Sequence, residues 1–156
     1  MITYEHGDVL QNLENNGKLI FMPHVCNNIP LWGSGIVVGI MNKWKDAKHF
    51  HYSNEVKLGV VQYQQVESNV ILANMCAQRG LSYNQTKRPL SYEHLVKCMA
   101  NVRDNILSKE KAGIECEIKT CKFGSLRSGG NWDFIEELIE EIWAGIPTTV
   151  FIYEEK

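Results

Sequence analysis

Leu19-Ile20-Phe21-Met22-Pro23-His24-Val25-Cys26-Asn27-Asn28-Ile29-Pro30-Leu31-Trp32-Gly33-Ser34-Gly35-Ile36 is the stretch that decides the fold. Leu19 to Cys26 reads as a strand, apolar almost throughout, which predicts a central place in a sheet. It closes on His-x-Cys-Asn, and a Gly-x-Gly turn runs into an apolar helix from Ile36 to Trp44. Polar side chains at a strand's end beside a glycine loop suit a phosphate and a sugar. Glycines let backbone N–H groups approach an anion, and the following helix N-terminus favours its charge. Gly-x-Gly alone also fits a plain strand-to-helix turn. The flanking His24, Cys26-Asn27 and Trp32, and a second such loop near residue 124, favour the ligand reading.

Working outward, Ile2 to Tyr4 predicts a first strand, and Gly7-Asp8 opens a short helix expected to reach about Asn15. Gly39 inside the Ile36–Trp44 helix predicts close backbone approach. Asp46 to Glu55 is a polar helix or irregular segment. Leu58–Val66 and Val70–Ala77, rich in Val, Ile and Tyr and joined by Glu67-Ser68-Asn69, predict an antiparallel hairpin. Gly80 to Pro89 is a polar loop. Ser91 is placed to cap a helix to about Leu107, with Tyr92, Leu95, Val96, Met99, Val102, Ile106 and Leu107 at helical spacing. Ile114 to Phe123 is a strand. Asn131 caps a helix with Trp132, Ile135, Leu138, Ile139, Ile142 and Trp143 on one face, and Pro147 to Tyr153 is the last strand. Strands alternating with helices, plus one hairpin, give an α/β class: a three-layer α/β/α domain with a mixed central sheet. No repeat or linker divides residues 1–156, so one domain is expected.

The 156-residue chain carries a net charge of −2, which offers no general attraction to DNA, RNA or anionic lipid. An anionic ligand would therefore be held by local N–H groups. The five cysteines are Cys26, Cys76, Cys98, Cys116 and Cys121, odd in number and without a C-x-x-C pair. That argues against zinc and a disulfide framework and for reduced thiols in the cytoplasm. No signal peptide or membrane-spanning stretch is read.

The second loop, Phe123-Gly124-Ser125-Leu126-Arg127-Ser128-Gly129-Gly130-Asn131-Trp132, also follows a strand and opens a helix. Two such loops can close over one pyrophosphate at the carboxyl ends of strands. Two unrelated turns are the plainer alternative. Asp8 reads first as an N-cap, with a hydrogen bond to an adenine amino group as the functional alternative. His24 is either a hydrogen-bonded core residue or a proton carrier. Asn27 has the donor and acceptor groups that ribose hydroxyls need. Cys26 reads as a small core residue, since no cation is evident to lower its pKa. Gln78 and Arg79, after Asn74-Met75-Cys76-Ala77, are positioned to face the same cleft, with a solvated charge as the alternative for Arg79. His49 and His51 lack a partner at metal spacing and read as surface residues. Glu136, Glu137, Glu140 and Glu141 form the wet face of the last helix.

Gly7-Asp8-Val9, His24-Val25-Cys26-Asn27, Trp32-Gly33-Ser34-Gly35-Ile36, Asn74-Met75-Cys76-Ala77-Gln78 and Gly124–Trp132 together resemble a macro domain, in the family's order over nearly the whole chain. The likeness is to the small single-domain branch of ADP-ribose 1''-phosphate phosphatases and the terminal ADP-ribose protein glycohydrolase. The resemblance implies a cleft for ADP-ribose. Asp8 and Val9 would lie at the adenine, and Gly33 to Ile36 around the distal ribose and diphosphate. Cys26, Asn27, Trp32 and Gln78 would flank that end. Ser125, Leu126, Arg127, Ser128, Gly129 and Gly130 would supply the second phosphate loop. His24 would be catalytic, with Asn27 holding the distal ribose.

There are departures. The terminal glycohydrolase branch has a lysine where Gln78 stands and an aspartate where Ser128 stands. Without that amine no Schiff base forms. Another hydrolase branch has an aspartate where Val37 stands. The expectation is therefore a metal-independent phosphatase acting on ADP-ribose 1''-phosphate, without cofactor and monomeric. A non-catalytic reader of ADP-ribose or a related nucleotide is the alternative. An ADP-ribosyl hydrolase of unfamiliar mechanism is the third. An apolar surround for His24, with no route to the distal ribose, would favour the reader.

Overall fold

In the computed structural model, residues 2–29, 32, 35–54, 56–80, 88–125 and 128–153 are described. The strands are β1 (Ile2–His6), β2 (Leu19–Asn27), β3 (Val61–Glu67), β4 (Val70–Gln78), β5 (Cys116–Cys121) and β6 (Thr148–Ile152). The helices are α1 (Ile36–Lys43), α2 (Ala47–Ser53), α3 (Tyr92–Lys111) and α4 (Trp132–Ile142), with a 3-10 turn at Val9–Gln11. The strands form one mixed sheet of order β1-β6-β5-β2-β4-β3. Only β3 runs antiparallel, against β4.

Helices cover both faces. On one, the 3-10 turn, α1 and Ala47 of α2 bury Val9, Leu10, Leu13, Val37 and Ile40 against Ile20, Met22, Val70 and Leu72. On the other, α3 presents Leu95, Cys98, Met99, Val102 and Ile106, and α4 presents Ile135, Leu138 and Ile139, to Phe21, Ala73, Met75 and Ile118. Adjacent strand residues thus serve opposite faces, as the alternation of a strand requires. The expected three layers and central β2 are both found.

Some boundaries differ. The first helix is only the 3-10 turn, because Asn12 Nδ2 bonds back to Asp8 O at 2.7 Å and closes it. Ile114 lies before β5 and is exposed, and Val96 and Leu107 point outward from α3. Gly39 is needed as expected: a Cβ there would lie 2.8 Å from Leu10 Cδ1.

Pro23 is unexpected inside a central strand, since it offers no N–H to a ladder. The β2–β5 pairing ends at Phe21–Ile118, two residues earlier. Beyond it Thr120 Oγ1 donates to Pro23 O at 2.5 Å. Past Phe21–Ile118 the backbone ladder lapses while the Thr120 side chain still joins the two strands, and the chain leaves their carboxyl ends for opposite faces of the sheet. That is a topological switch point, where ligands of open α/β sheets lie.

Candidate functional site

Five parallel strands end on one edge, and their last residues line a crest. Asp8 follows β1, Asn27 closes β2, Gln78 closes β4, and the second glycine loop follows β5. β1 and β2 are three strand steps apart in the sheet, about 14 Å at ~4.8 Å per step.

Each end is fixed by local bonding. Asp8 caps the 3-10 turn, its Oδ1 accepting from Leu10 N at 3.0 Å, so the cap reading holds. Val9 is buried beneath it. A hollow of about 340 Å³ on the α1 side of Asp8 is bounded by Leu10, Gln11, Gly39, Asn42 and Lys43. Asn27 is 7% exposed and its Oδ1 accepts from Ile29 N at 3.3 Å. Its Cα pairs with Gln78 after a register shift that follows Cys26–Cys76.

Of the first glycine loop, Gly33 and Ser34 lie outside the described residues, as does the segment 81–87. Gly35 sits at φ +77°, where a side chain is strained, and precedes α1 without any side-chain cap. Val38 N donates back to Gly35 O at 3.2 Å, and among the described residues no side chain accepts from the N–H groups of Ile36 or Val37.

The second glycine loop is held by its own bonds. Leu126 and Arg127 are outside the described residues. Gly130 N donates to Gly124 O at 2.8 Å, and a Cβ on Gly130 would stand 2.5 Å from that oxygen. Gly124 and Gly129 both have positive φ, +74° and +76°. Ser125 Oγ donates to Lys122 O at 2.7 Å. Ser128 is buried, gives its hydroxyl proton to Gln78 Oε1, and accepts from Leu90 N on its own carbonyl. Asn131 caps α4 through Phe134 N at 3.1 Å. Gln78 Nε2 donates to Gly80 O, and Arg79 is exposed, in keeping with the solvated alternative.

Behind the crest lies a cluster the sequence did not reveal. His24 has no exposed surface, and its Nε2 meets Asn74 Oδ1 at 2.5 Å. Asn74 Nδ2 donates to Gln62 Oε1 at 3.1 Å, which His51 Nδ1 also meets at 2.8 Å. Trp32, 4% exposed, stacks on His51 at 5.0 Å and sets its ring edge-on to His24 at 6.0 Å. Burial pushes the His24 pKa down to about 4 and lowers that of His51. His51 is therefore a core residue and not a surface one, and the Trp32 ring anchors the first loop from within. The spacing of Ala47 and His51, four apart and both buried on α2, was the available signal.

The Cys26 thiol is pushed up by its hydrogen bond with Cys76 and by burial, which makes it a packing residue and not a nucleophile. Among the described residues no group of His, Cys, Asp and Glu could hold a metal ion. No described helix is long and apolar enough to cross a membrane.

No family model and no curated protein matches the chain. Solved structures do. A protein of unknown function from Bacteroides thetaiotaomicron superposes with a TM-score of 0.84 at 28% identity, over 97% of this chain and 98% of the other. A macrodomain protein from Streptomyces coelicolor aligns over the whole of both chains, with a TM-score of 0.74 and 29% identity. This chain has the macrodomain fold. A third macrodomain-fold match is Thermosipho africanus DarTG, solved in complex with ADP-ribose. It aligns with a TM-score of 0.72 at 13% identity over 99% of this chain and 42% of that one, which is a likeness of fold alone. Set on the macrodomain fold, Asp8, Asn27, Gln78 and Ser128 share the crest, whereas His24 lies beneath it.

Proposed function

We propose that the chain is an ADP-ribose-binding macrodomain that acts as a single domain on a small-molecule or ADP-ribose-bearing partner. The carrying observation is the lapse of the β2–β5 ladder at Pro23 between two glycine loops, one opening α1 from Gly35 at φ +77° and one with Gly130 pressed on its own backbone. The diphosphate lies there, held by backbone N–H groups. The adenine lies towards Asp8, and the distal ribose towards Asn27 and Gln78. The ADP-ribose complex of a protein of this fold is consistent with that ligand.

The finer reading, removal of phosphate from ADP-ribose 1''-phosphate by His24, finds less support. A proton carrier must reach the reacting group, directly or through one water. His24 has no exposed surface, its Nε2 is engaged by Asn74, and its pKa of about 4 leaves it neutral near pH 7. We therefore favour the reader, with the phosphatase as the second reading and Asn27, on the crest, as its remaining side chain. Calorimetry with ADP-ribose, AMP and ribose 5-phosphate tests binding. Phosphate release from ADP-ribose 1''-phosphate, and ADP-ribose release from modified protein, test turnover. Tight binding without either release is the expected result; release that survives in His24→Ala would restore an enzyme with another proton carrier.

A further inference from the structure

The crest has a cation that the motifs do not mark. Arg88 is exposed and lies just before α3, and its aliphatic stem rests on the second glycine loop: a Cβ on Gly129 would be 3.3 Å from Arg88 Cγ. Its guanidinium carbon stands 4.1 Å over the ring of Tyr92. Its Nε donates to Leu90 O at 2.8 Å. Tyr92 in turn is tied to the same loop, its hydroxyl accepting from Asn131 N at 2.8 Å. Stacking and the Nε bond fix the plane of the guanidinium before any ligand arrives. Among the described residues no carboxylate lies within salt-bridge distance of Arg88.

Its place along the crest gives the charge a meaning. Leu90 pairs with Gln78, Arg79 N donates to Pro89 O, and Leu90 N donates to Ser128 O. Arg88 therefore stands at the β4 end, the end opposite Asp8. On the ADP-ribose reading, on which this inference rests, that is where the distal ribose ends. We propose that Arg88, carried on Tyr92 over Gly129, reads a negative charge attached beyond the distal ribose, so that the cleft prefers ligands bearing a further phosphoryl group there. The diphosphate needs no side-chain cation, because the loops' N–H groups hold it. Arg88 supplies discrimination at the far end, through the paired N–H donors a guanidinium offers a phosphate.

The test compares ADP-ribose with ADP-ribose 1''-phosphate by calorimetry, with phosphate release followed in parallel so that turnover does not pass as weak binding. Wild type should prefer the phosphorylated ligand by about tenfold or more. Arg88→Met keeps the stem over Gly129 and should bring the ratio of affinities close to one. Arg88→Lys keeps charge without the planar fork and should fall between. If Arg88→Met does not fold by its thermal melt, the wild-type preference itself should shrink as salt rises from about 50 to about 500 mM. A wild-type ratio near one, a ratio unchanged in folded Arg88→Met, or a preference indifferent to salt would overturn the role of Arg88. Binding of neither ligand would overturn the ADP-ribose reading itself.

Discussion

Ser128 donates its hydroxyl proton to Gln78 Oε1, and this bond joins the second glycine loop to the end of β4. The two side chains satisfy each other. Ser128→Ala should cost about 0.5–1.5 kcal/mol of stability, the range for one neutral hydrogen bond, and should weaken ligand binding by loosening the loop. Urea melts and calorimetry on the same preparation check both. Unchanged affinity would separate the tie from the binding site.

His24 is buried neutral, so its contribution to stability has a definite pH dependence. Its folded pKa, about 4, lies below the unfolded value of 6.5. The unfolded chain therefore takes up a proton first as pH falls. The stabilisation is complete above about pH 6.5 and is lost between there and about pH 4, at about 1.4 kcal/mol per pH unit. His51, shifted in the same direction, steepens the slope. His24→Gln should flatten the wild-type curve over that window when urea stability is measured at several pH values. Parallel curves would mean that His24 titrates at the same pH in the folded and the unfolded chain.

Asp8 has a cap role and a proposed ligand role, and two variants separate them. Asp8→Ala should lose about 1 kcal/mol of stability because Leu10 N loses its acceptor. Asp8→Ser keeps a capping oxygen and should retain most of that stability. If the carboxylate also pairs with the adenine, both variants should lose about 1–3 kcal/mol of affinity for ADP-ribose. Wild-type affinity in Asp8→Ser would leave Asp8 as a cap only.

Much of this fold was legible because local pattern and tertiary role agree. β2 is apolar and central, the hairpin is β3–β4, and Ser91 and Asn131 cap as their spacing predicts. The failures are non-local. Lys48, His49 and Tyr52 made α2 look like a solvated segment, yet His51 meets Gln62 of β3 and Trp32 of the first loop. His24 looked like a site residue because it adjoins one in sequence. Three positions before Asn27, strand alternation sends it into the core with Ile20 and Met22. Pro23 went unremarked, although a proline in an apolar run signals an interrupted ladder, and the β2–β5 pairing does end two residues before it. Arg88 lay in a polar loop with no motif around it, and only its packing on Tyr92 and Gly129 sets it apart.

On the proposed function, the crest between the two loops binds ADP-ribose. The most direct test is a calorimetric titration of wild type and Gly130→Ala with ADP-ribose. Even a methyl group at residue 130 would meet Gly124 O at 2.5 Å and Leu90 Cδ2, so the loop must shift while the two cores stay in place. Wild type should bind ADP-ribose more tightly than AMP or ribose 5-phosphate, and Gly130→Ala, still folded by its thermal melt, should lose at least about tenfold in affinity. No heat with ADP-ribose for the wild type, or a folded Gly130→Ala that binds as well as wild type, would contradict the account.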